Sequence, residues 1–266
     1  MGTLINKLTP DSIIWVTRPP GQGENLCRLV ESAGGRAISI PVIEIVPVRQ
    51  QRRLSDLILD VQDAQLIIFV SKNAVQFAES SIPDFYRKIM GKRLLAIGEG
   101  TRAALHGKGF TDVTCPEAGI GSEALLELDL FQPETLSGKP ILVVRGIGGR
   151  DRIARTMEQS GVTVKYLEVY ARKKPDTDVK TMENIWHDTP PDAIVVTSVE
   201  GLNNLINMTP GALAERLRHT PLTVMSPRIQ SVALSLGFTG GVAVAAQASD
   251  DGLLTATMSI FENRPV

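Results

Sequence analysis

Ten short runs rich in β-branched and aliphatic residues alternate along this chain with segments of helical period, and that alternation constrains the fold more than any other feature. The runs fall at residues 13–17, 36–42, 66–70, 94–97, 112–115, 141–144, 162–170, 193–197, 222–225 and 241–245. Several are hydrophobic from end to end, as LIIFV at 66–70 and AIVVT at 193–197 are. A strand with one wet face alternates apolar and polar residues, so unbroken runs predict strands covered on both faces, as in a parallel sheet flanked by helices. Between the first two runs, Leu26, Leu29, Val30 and Ala33 share one helical stripe, and Gly34 and Gly35 are placed to end it.

The pattern also repeats on a longer scale. A shift of 127 positions lays Arg18 on Arg145, Leu26 on Ile153, Gly34 on Gly161, Ile40 on Leu167, Val42 on Val169 and Ser71 on Ser198. LIIFVS falls on AIVVTS; with one more residue of drift Gly109-Phe110 falls on Gly237-Phe238, and Ser122 to Leu126 on Asp250 to Leu254. This predicts two copies of a five-stranded α/β unit, and 266 residues suit two domains of roughly 100 to 150 each. The joints are expected at 44–53, which holds Pro47 and a basic cluster, and at 168–178, EVYARKKPDTD. Arg49, Arg52, Arg53, Arg172, Lys173 and Lys174 read as solvated linker charge, or alternatively as the rim of an anion-binding cleft.

Composition removes several function classes. With 28 Lys+Arg against 29 Asp+Glu and only 5% aromatics, the chain lacks both the cationic excess and the stacking platforms of a general nucleic-acid binder. No run approaches the roughly 20 apolar residues of a membrane span, and residues 1–12 lack a basic stretch before an apolar core, so a soluble cytoplasmic protein is expected. Cys27 and Cys115 stand outside any CxxC or Cys/His pattern, which predicts reduced core thiols and no structural zinc.

In parallel sheets, ligands collect at the carboxyl ends of the strands. Those ends carry Thr17-Arg18-Pro19, Val70-Ser71-Lys72-Asn73, Gly98-Glu99-Gly100-Thr101, Arg145-Gly146, Thr197-Ser198 and Ser226-Pro227-Arg228. Hydroxyls, arginines and helix-starting amides of this kind suit carboxylates or phosphates. His106, His187 and His219 fall elsewhere, and no convergent carboxylate pair is evident. There is no P-loop, GxSxG elbow, HExxH or SxxK. Gly98 to Ala103 satisfies GxGxxA, with Glu117 nineteen residues after Gly98, but Gly119 to Ala124 satisfies it as well, and the first copy follows the fourth strand of its unit. Gly146 to Asp151, GIGGRD, reads as a tight strand-to-helix turn or a nest of exposed amides. Composition and spacing reach a two-domain α/β protein with an anion-friendly cleft.

The run IIWVTRPPGQGENLCRLVESAGGRAISIPVIEIVPV resembles the amino-terminal signature of the uroporphyrinogen-III synthase family. FVSKNAV, AIGEGTRAAL, RGIGGRDRIARTMEQSGVTVKYLEVYAR and TSVEGLNNL resemble further family elements, in order, over roughly residues 13–255. The resemblance implies two similar flavodoxin-like parallel-sheet domains, built as a strand-exchanged internal duplication and joined by a two-stranded hinge. The expected division is 1–43 with 176–266 as one domain and 49–168 as the other, with 44–48 and 169–175 forming an antiparallel linker ladder.

The implied reaction is closure of the linear tetrapyrrole hydroxymethylbilane, with loss of water and inversion of ring D, without metal or organic cofactor. The family match makes Tyr170 the expected proton donor to the departing hydroxyl. Arg18, Ser71, Lys72, Asn73, Gly98, Thr101, Arg145, Ser198 and Ser226 are the expected substrate-binding residues. One departure is Ser226-Pro227-Arg228-Ile229 where many members carry Gly-Pro-Thr-Thr, which puts a charge in place of a hydroxyl. A monomer is expected, with transient contact to hydroxymethylbilane synthase as the one macromolecular partner, and no nucleic acid or membrane. Two rival readings are a noncatalytic two-domain anion binder and a nucleotide-dependent enzyme using Gly98 to Ala103.

Overall fold

The computed structural model describes residues 8–116, 125–126, 128, 138–149 and 151–262. In chain order the elements are β1 (Ile13–Val16), α1 (Glu24–Ser32), β2 (Arg36–Ser39), β3 (Glu44–Pro47), α2 (Leu54–Asp63), β4 (Leu66–Phe69), α3 (Lys72–Ser81), α4 (Phe85–Lys88), β5 (Arg93–Ala96), α5 (Glu99–His106) and β6 (Val113–Thr114). Then come β7 (Ile141–Gly146), α6 (Arg152–Gln159), β8 (Val164–Lys173), α7 (Val179–Asp188), β9 (Ala193–Val196), α8 (Val199–Met208), α9 (Ala214–His219), β10 (Leu222–Val224), α10 (Pro227–Ser235), β11 (Val242–Val244) and α11 (Asp250–Glu262). The chain divides into two compact units, Met1–Glu44 with Lys173–Val266, and Ile45–Arg172.

The first unit holds a sheet of order β11-β10-β9-β1-β2, parallel at every pairing. Alternate residues of β1 serve its two faces: Ile14 and Val16 pack with Leu26 and Val30 of α1 and Leu253 and Ala256 of α11, while Trp15 meets Trp186 of α7 edge-on, ring centroids 4.7 Å apart. The Trp15 indole N–H donates to the Thr189 carbonyl at 2.8 Å, which satisfies the one polar atom of a fully buried ring. Helix α1 ends as expected: Gly34 takes φ 94°, a left-handed conformation that glycine adopts without strain.

The second unit holds a sheet of order β3-β8-β7-β4-β5-β6. Its β4 reads LIIF with all four residues buried, Leu66 and Ile68 in one core cluster and Ile67 and Phe69 in the other. Burial on both faces explains the unbroken apolar run, since each such side chain contributes about 1.5–3 kcal/mol when covered. All ten runs read from sequence carry strands, and β3 is an eleventh.

β3 is short and ends in Pro47, so it lies at the sheet edge beside β8, with the Val48 N–H donating to the Val169 carbonyl at 3.1 Å. β8 runs from Val164 to Lys173, and its last residues lie in the segment read as beginning as a strand and running into charged sequence. Cys115 is buried, and Cys27, on α1, is half-buried against the core; burial raises both thiols above their usual range.

Candidate active site

Each sheet has one point where the order of connections reverses. In the second unit β4 leads outward to β5 and β6 while β7 leads the other way to β8, so β4 and β7 flank the reversal; β1 and β9 do the same in the first unit. Helices leaving such neighbouring strands diverge and leave a crevice outside the carboxyl ends. At the β4–β7 reversal that crevice is a cavity of about 440 Å³, reached by Ser71 from the end of β4, Ile97 from beyond β5, Arg145 and Gly146 from β7, and Tyr166 and Tyr170 from β8, with Arg172 also on its wall.

Tyr170 is 3% exposed, its ring 6.2 Å from that of Phe77, and its hydroxyl lies 3.1 Å from Ser71 Oγ. Ser71 is the N-cap of α3 and accepts the Ala74 amide at 3.0 Å. A capping oxygen that accepts an amide keeps its own proton to give. When that proton goes to the phenol oxygen, the phenol O–H is left to point elsewhere. The ring fits because residue 146 is glycine: a Cβ there would stand 2.5 Å from Tyr170 Cε2 and 2.6 Å from Cζ. Pairing of β7 with β8 is irregular at this point, running from Arg145↔Glu168 to Gly146↔Tyr170, and the irregularity brings the tyrosine opposite the glycine.

Arg145 braces the turn that follows. Its Nη1 donates to Asp151 Oδ1 at 2.8 Å, Nη2 to the Gly149 carbonyl at 2.7 Å and Nε to the Gly146 carbonyl at 3.3 Å, with Glu168 Oε1 3.4 Å from Nε. The guanidinium also lies over the Tyr166 ring, 4.3 Å from its centroid. Asp151, held by Arg145 and touched by the Tyr166 hydroxyl at 3.3 Å, titrates below the usual carboxylate range. Tyr166 titrates above the usual phenol range, first because it is partly buried and then because Asp151 faces it.

Of the residues singled out from sequence, Ser71, Arg145 and Tyr170 line one cavity. Lys72 and Asn73 occupy the first turn of α3, and Gly98 is the N-cap of α5, outside that wall. Thr101 is 5% exposed, in the first turn of α5. Arg18, Ser198 and Ser226 belong to the first unit. Arg18 holds Asp250 at 2.6 Å and the Gln22 carbonyl at 3.2 Å, and Ser198 caps α8 by accepting the Gly201 amide at 2.9 Å; Ser226 precedes α10 without a side-chain cap bond. Arg18 and Arg145, read as takers of substrate carboxylates, thus each hold a carboxylate of their own chain.

Sequence reasoning passed over Tyr166, whose signal was its position four residues before Tyr170 on one strand. Such even spacing puts both on one face until an irregularity intervenes. Gly146, read as part of a turn, is the cradle of Tyr170.

Lys72 bears on the nucleotide reading. A Cβ on Gly100 would meet Lys72 Cε at 2.5 Å, so in this chain the glycine leaves room for the lysine side chain. Moreover β5 lies outside the reversal. Glu117, Gly119 to Ala124 and Arg150 lie outside the described residues. Among the described residues, no group of three or more His, Cys, Asp and Glu could hold a metal ion, and no helix is long and apolar enough to cross a membrane.

Comparison with known proteins places this geometry. The family model described as "Uroporphyrinogen-III synthase HemD" matches residues 24–255. The uroporphyrinogen-III synthase of Salmonella typhimurium is 34% identical over 245 residues, covering 91% of this chain and 98% of that protein. That of Escherichia coli K12 is 34% identical over 247 residues, with the same coverage. The crystal structure of uroporphyrinogen-III synthetase from Helicobacter pylori aligns with a TM-score of 0.61 at 14% identity, over 94% of this chain and 99% of that one. The chain belongs to the uroporphyrinogen-III synthase family.

Proposed function

We propose that this chain converts hydroxymethylbilane to uroporphyrinogen III, with loss of water and inversion of ring D, and that the cavity at the β4–β7 reversal is where the hydroxyl leaves. The observation that carries the reading is the Tyr170 phenol, hydrogen-bonded to a capping serine in the crevice of a chain from this family.

The pyrrole nitrogen next to the hydroxymethyl group pushes its electron pair toward the exocyclic carbon as the C–O bond breaks. The departing oxygen needs a proton. Tyr170 supplies it, and the hydroxyl leaves as water rather than as hydroxide, a far poorer leaving group. The Ser71 O–H then donates to the phenolate that remains. Ring D attacks through its substituted carbon to give a spiro intermediate; the older bond from that carbon to the ring C methylene then breaks, the free α-carbon of ring D closes on the electrophilic methylene so released, and the proton lost on rearomatisation restores the phenol. The cationic intermediate closes unaided to the symmetric isomer, so the protein's main contribution is to hold the bilane in the conformation that favours the other outcome. A cavity with little acid–base machinery is sufficient for that, and the amides and hydroxyls at the carboxyl ends of both sheets suit a substrate rich in carboxylates.

The matching orders β11-β10-β9-β1-β2 and β6-β5-β4-β7-β8 support a strand-exchanged duplication, in which the first strands of each half join the other half's sheet. In this reading the two crossings, at 44–48 and 169–175, act as the hinge. The remaining substrate contacts come from Arg18, Lys72, Asn73, Gly98, Thr101, Ser198 and Ser226, with Arg18 and Arg145 exchanging their present carboxylates for the substrate's. The protein works as a cytoplasmic monomer that takes the labile bilane from hydroxymethylbilane synthase by transient contact.

The test supplies freshly generated hydroxymethylbilane to purified protein and separates the oxidised uroporphyrin isomers. Predominant isomer III is expected, falling toward the spontaneous isomer I in Tyr170→Phe. Isomer I alone from folded wild-type protein rules out the synthase reading, and full turnover by Tyr170→Phe rules out the phenol as acid.

A further inference from the structure

The Ile45–Arg172 unit carries a second cavity, of about 460 Å³, at the end of its sheet away from Tyr170. It forms where α4 turns into the amino end of β5 and where α5 turns toward β6, and its walls include the tight turns at Gly91 (φ 75°) and Gly109 (φ 91°). The two cavities share no lining residue.

Its walls combine two kinds of chemistry. Phe110 is half-buried, backed by Tyr86 with ring centroids 6.0 Å apart, and Met90 beside them is 72% exposed. The Tyr86 hydroxyl is turned inward to the Val75 carbonyl, so this wall presents rings rather than a polar group. Around it stand Arg87, Lys92, Arg93 and Lys108, against one carboxylate, Asp112. Lys92 is committed to the Ala64 carbonyl at 3.0 Å, and Lys108 Nζ sits 5.0 Å from the Tyr86 ring centroid. Among the described residues, Arg87 and Arg93 have no hydrogen-bond or ion-pair partner for their guanidinium groups.

Surface cations are ordinary, but cations left unpaired around a concave aromatic wall suit a particular chemistry. A flat ring packs against Phe110 and the pliable Met90 thioether, while guanidinium forks take anionic oxygens. A carboxylate offers two oxygens, enough for one fork. Two arginines and a lysine match the three oxygens of a phosphate monoester. The volume lies within the roughly 300–1,000 Å³ of small-molecule sites. We propose that this cavity binds an aromatic phosphate, a planar ring system carrying a phosphate monoester, of about the size of a nucleoside monophosphate.

Calorimetric titration with AMP, adenosine and inorganic phosphate tests it. AMP is expected to bind saturably, and adenosine and inorganic phosphate each at least about tenfold more weakly, because each lacks half of the recognised chemistry. Arg87→Gln and Arg93→Gln should each weaken AMP by about tenfold, while Tyr170→Phe should bind it like wild type. Arg87 and Arg93 are exposed, so an unchanged thermal midpoint will confirm that the variants fold. The proposal is overturned by any of four results. These are no saturation at millimolar AMP, unchanged affinity in the double arginine variant, loss of AMP binding in Tyr170→Phe, and inorganic phosphate binding as tightly as AMP.

Discussion

Adding one methyl group at residue 146 should silence the cavity without touching any polar atom. In Gly146→Ala the new Cβ would meet three ring carbons of Tyr170, at 2.5, 2.6 and 3.0 Å. Carbon atoms rest about 3.5 Å or more apart, so the ring must retreat by about 1 Å. The ring is 3% exposed and packed near Phe77, so it can yield only toward the cavity it lines, and any retreat pulls the hydroxyl from its 3.1 Å contact with Ser71. Overpacking of this kind costs about 1–3 kcal/mol of stability, and a 1 Å misplacement of a reacting group can cost about 100-fold in rate. Isomer III formation and the urea midpoint should therefore both fall. The decisive control is the double variant with Tyr170→Phe. If the methyl acts by moving the phenol, it has no further effect on rate once the hydroxyl is gone, although its cost in stability persists. Unchanged turnover and stability in Gly146→Ala, or rate losses that simply multiply in the double variant, would refute the reasoning.

Three further outcomes follow from the same geometry. Ser71→Ala removes a cap and the phenol's partner, so it should cost about 1 kcal/mol in thermal stability and also turnover; Ser198→Ala, another capping serine, gives the reference for the cap alone. Asp60 is buried, which by itself raises its pKa, yet Lys165 at 2.7 Å and Arg52 at 2.6 Å outweigh burial and hold it below the usual carboxylate range. A depressed folded pKa gives stability that is present above the unfolded value of about 3.9 and lost as pH falls through the folded one. Asp60→Asn should therefore lower the urea-derived stability by about 2 kcal/mol near neutrality and flatten its decline on the acid side. Asp151→Asn removes a charge facing Tyr166, so ultraviolet titration should find that phenol ionising at lower pH than in wild type, while no change would mean burial alone sets it.

How much of this could be read from sequence depends on the range of the forces involved. Strands such as LIIFV and AIVVT announce themselves because burial on both faces requires every residue to be apolar. β3 lacks that signal, since an edge strand of four residues ending in proline carries little periodicity. The caps at Ser71 and Ser198 follow a local rule, for a serine one residue before a helix satisfies an amide two or three residues on. The partners of Arg18 and Arg145 follow no such rule. Asp250 lies 232 positions from Arg18, and the Asp151 and Gly149 bonds depend on the path of one particular turn.

The pairing at the centre of the site was beyond sequence for a related reason. Ser71 and Tyr170 are 99 residues apart, on strands separated in the sheet by β7, so their approach needs both the strand order and the register of β8. A regular register would set Val169 opposite Gly146; the irregularity between Arg145 and Gly146 replaces it with Tyr170. An aliphatic side chain there would leave Ser71 as an ordinary cap and the crevice without the phenol that pairs with it. What converts a fold-level crevice into a candidate active site is therefore one skipped residue in a strand pairing, and it works only because the residue it faces has no side chain.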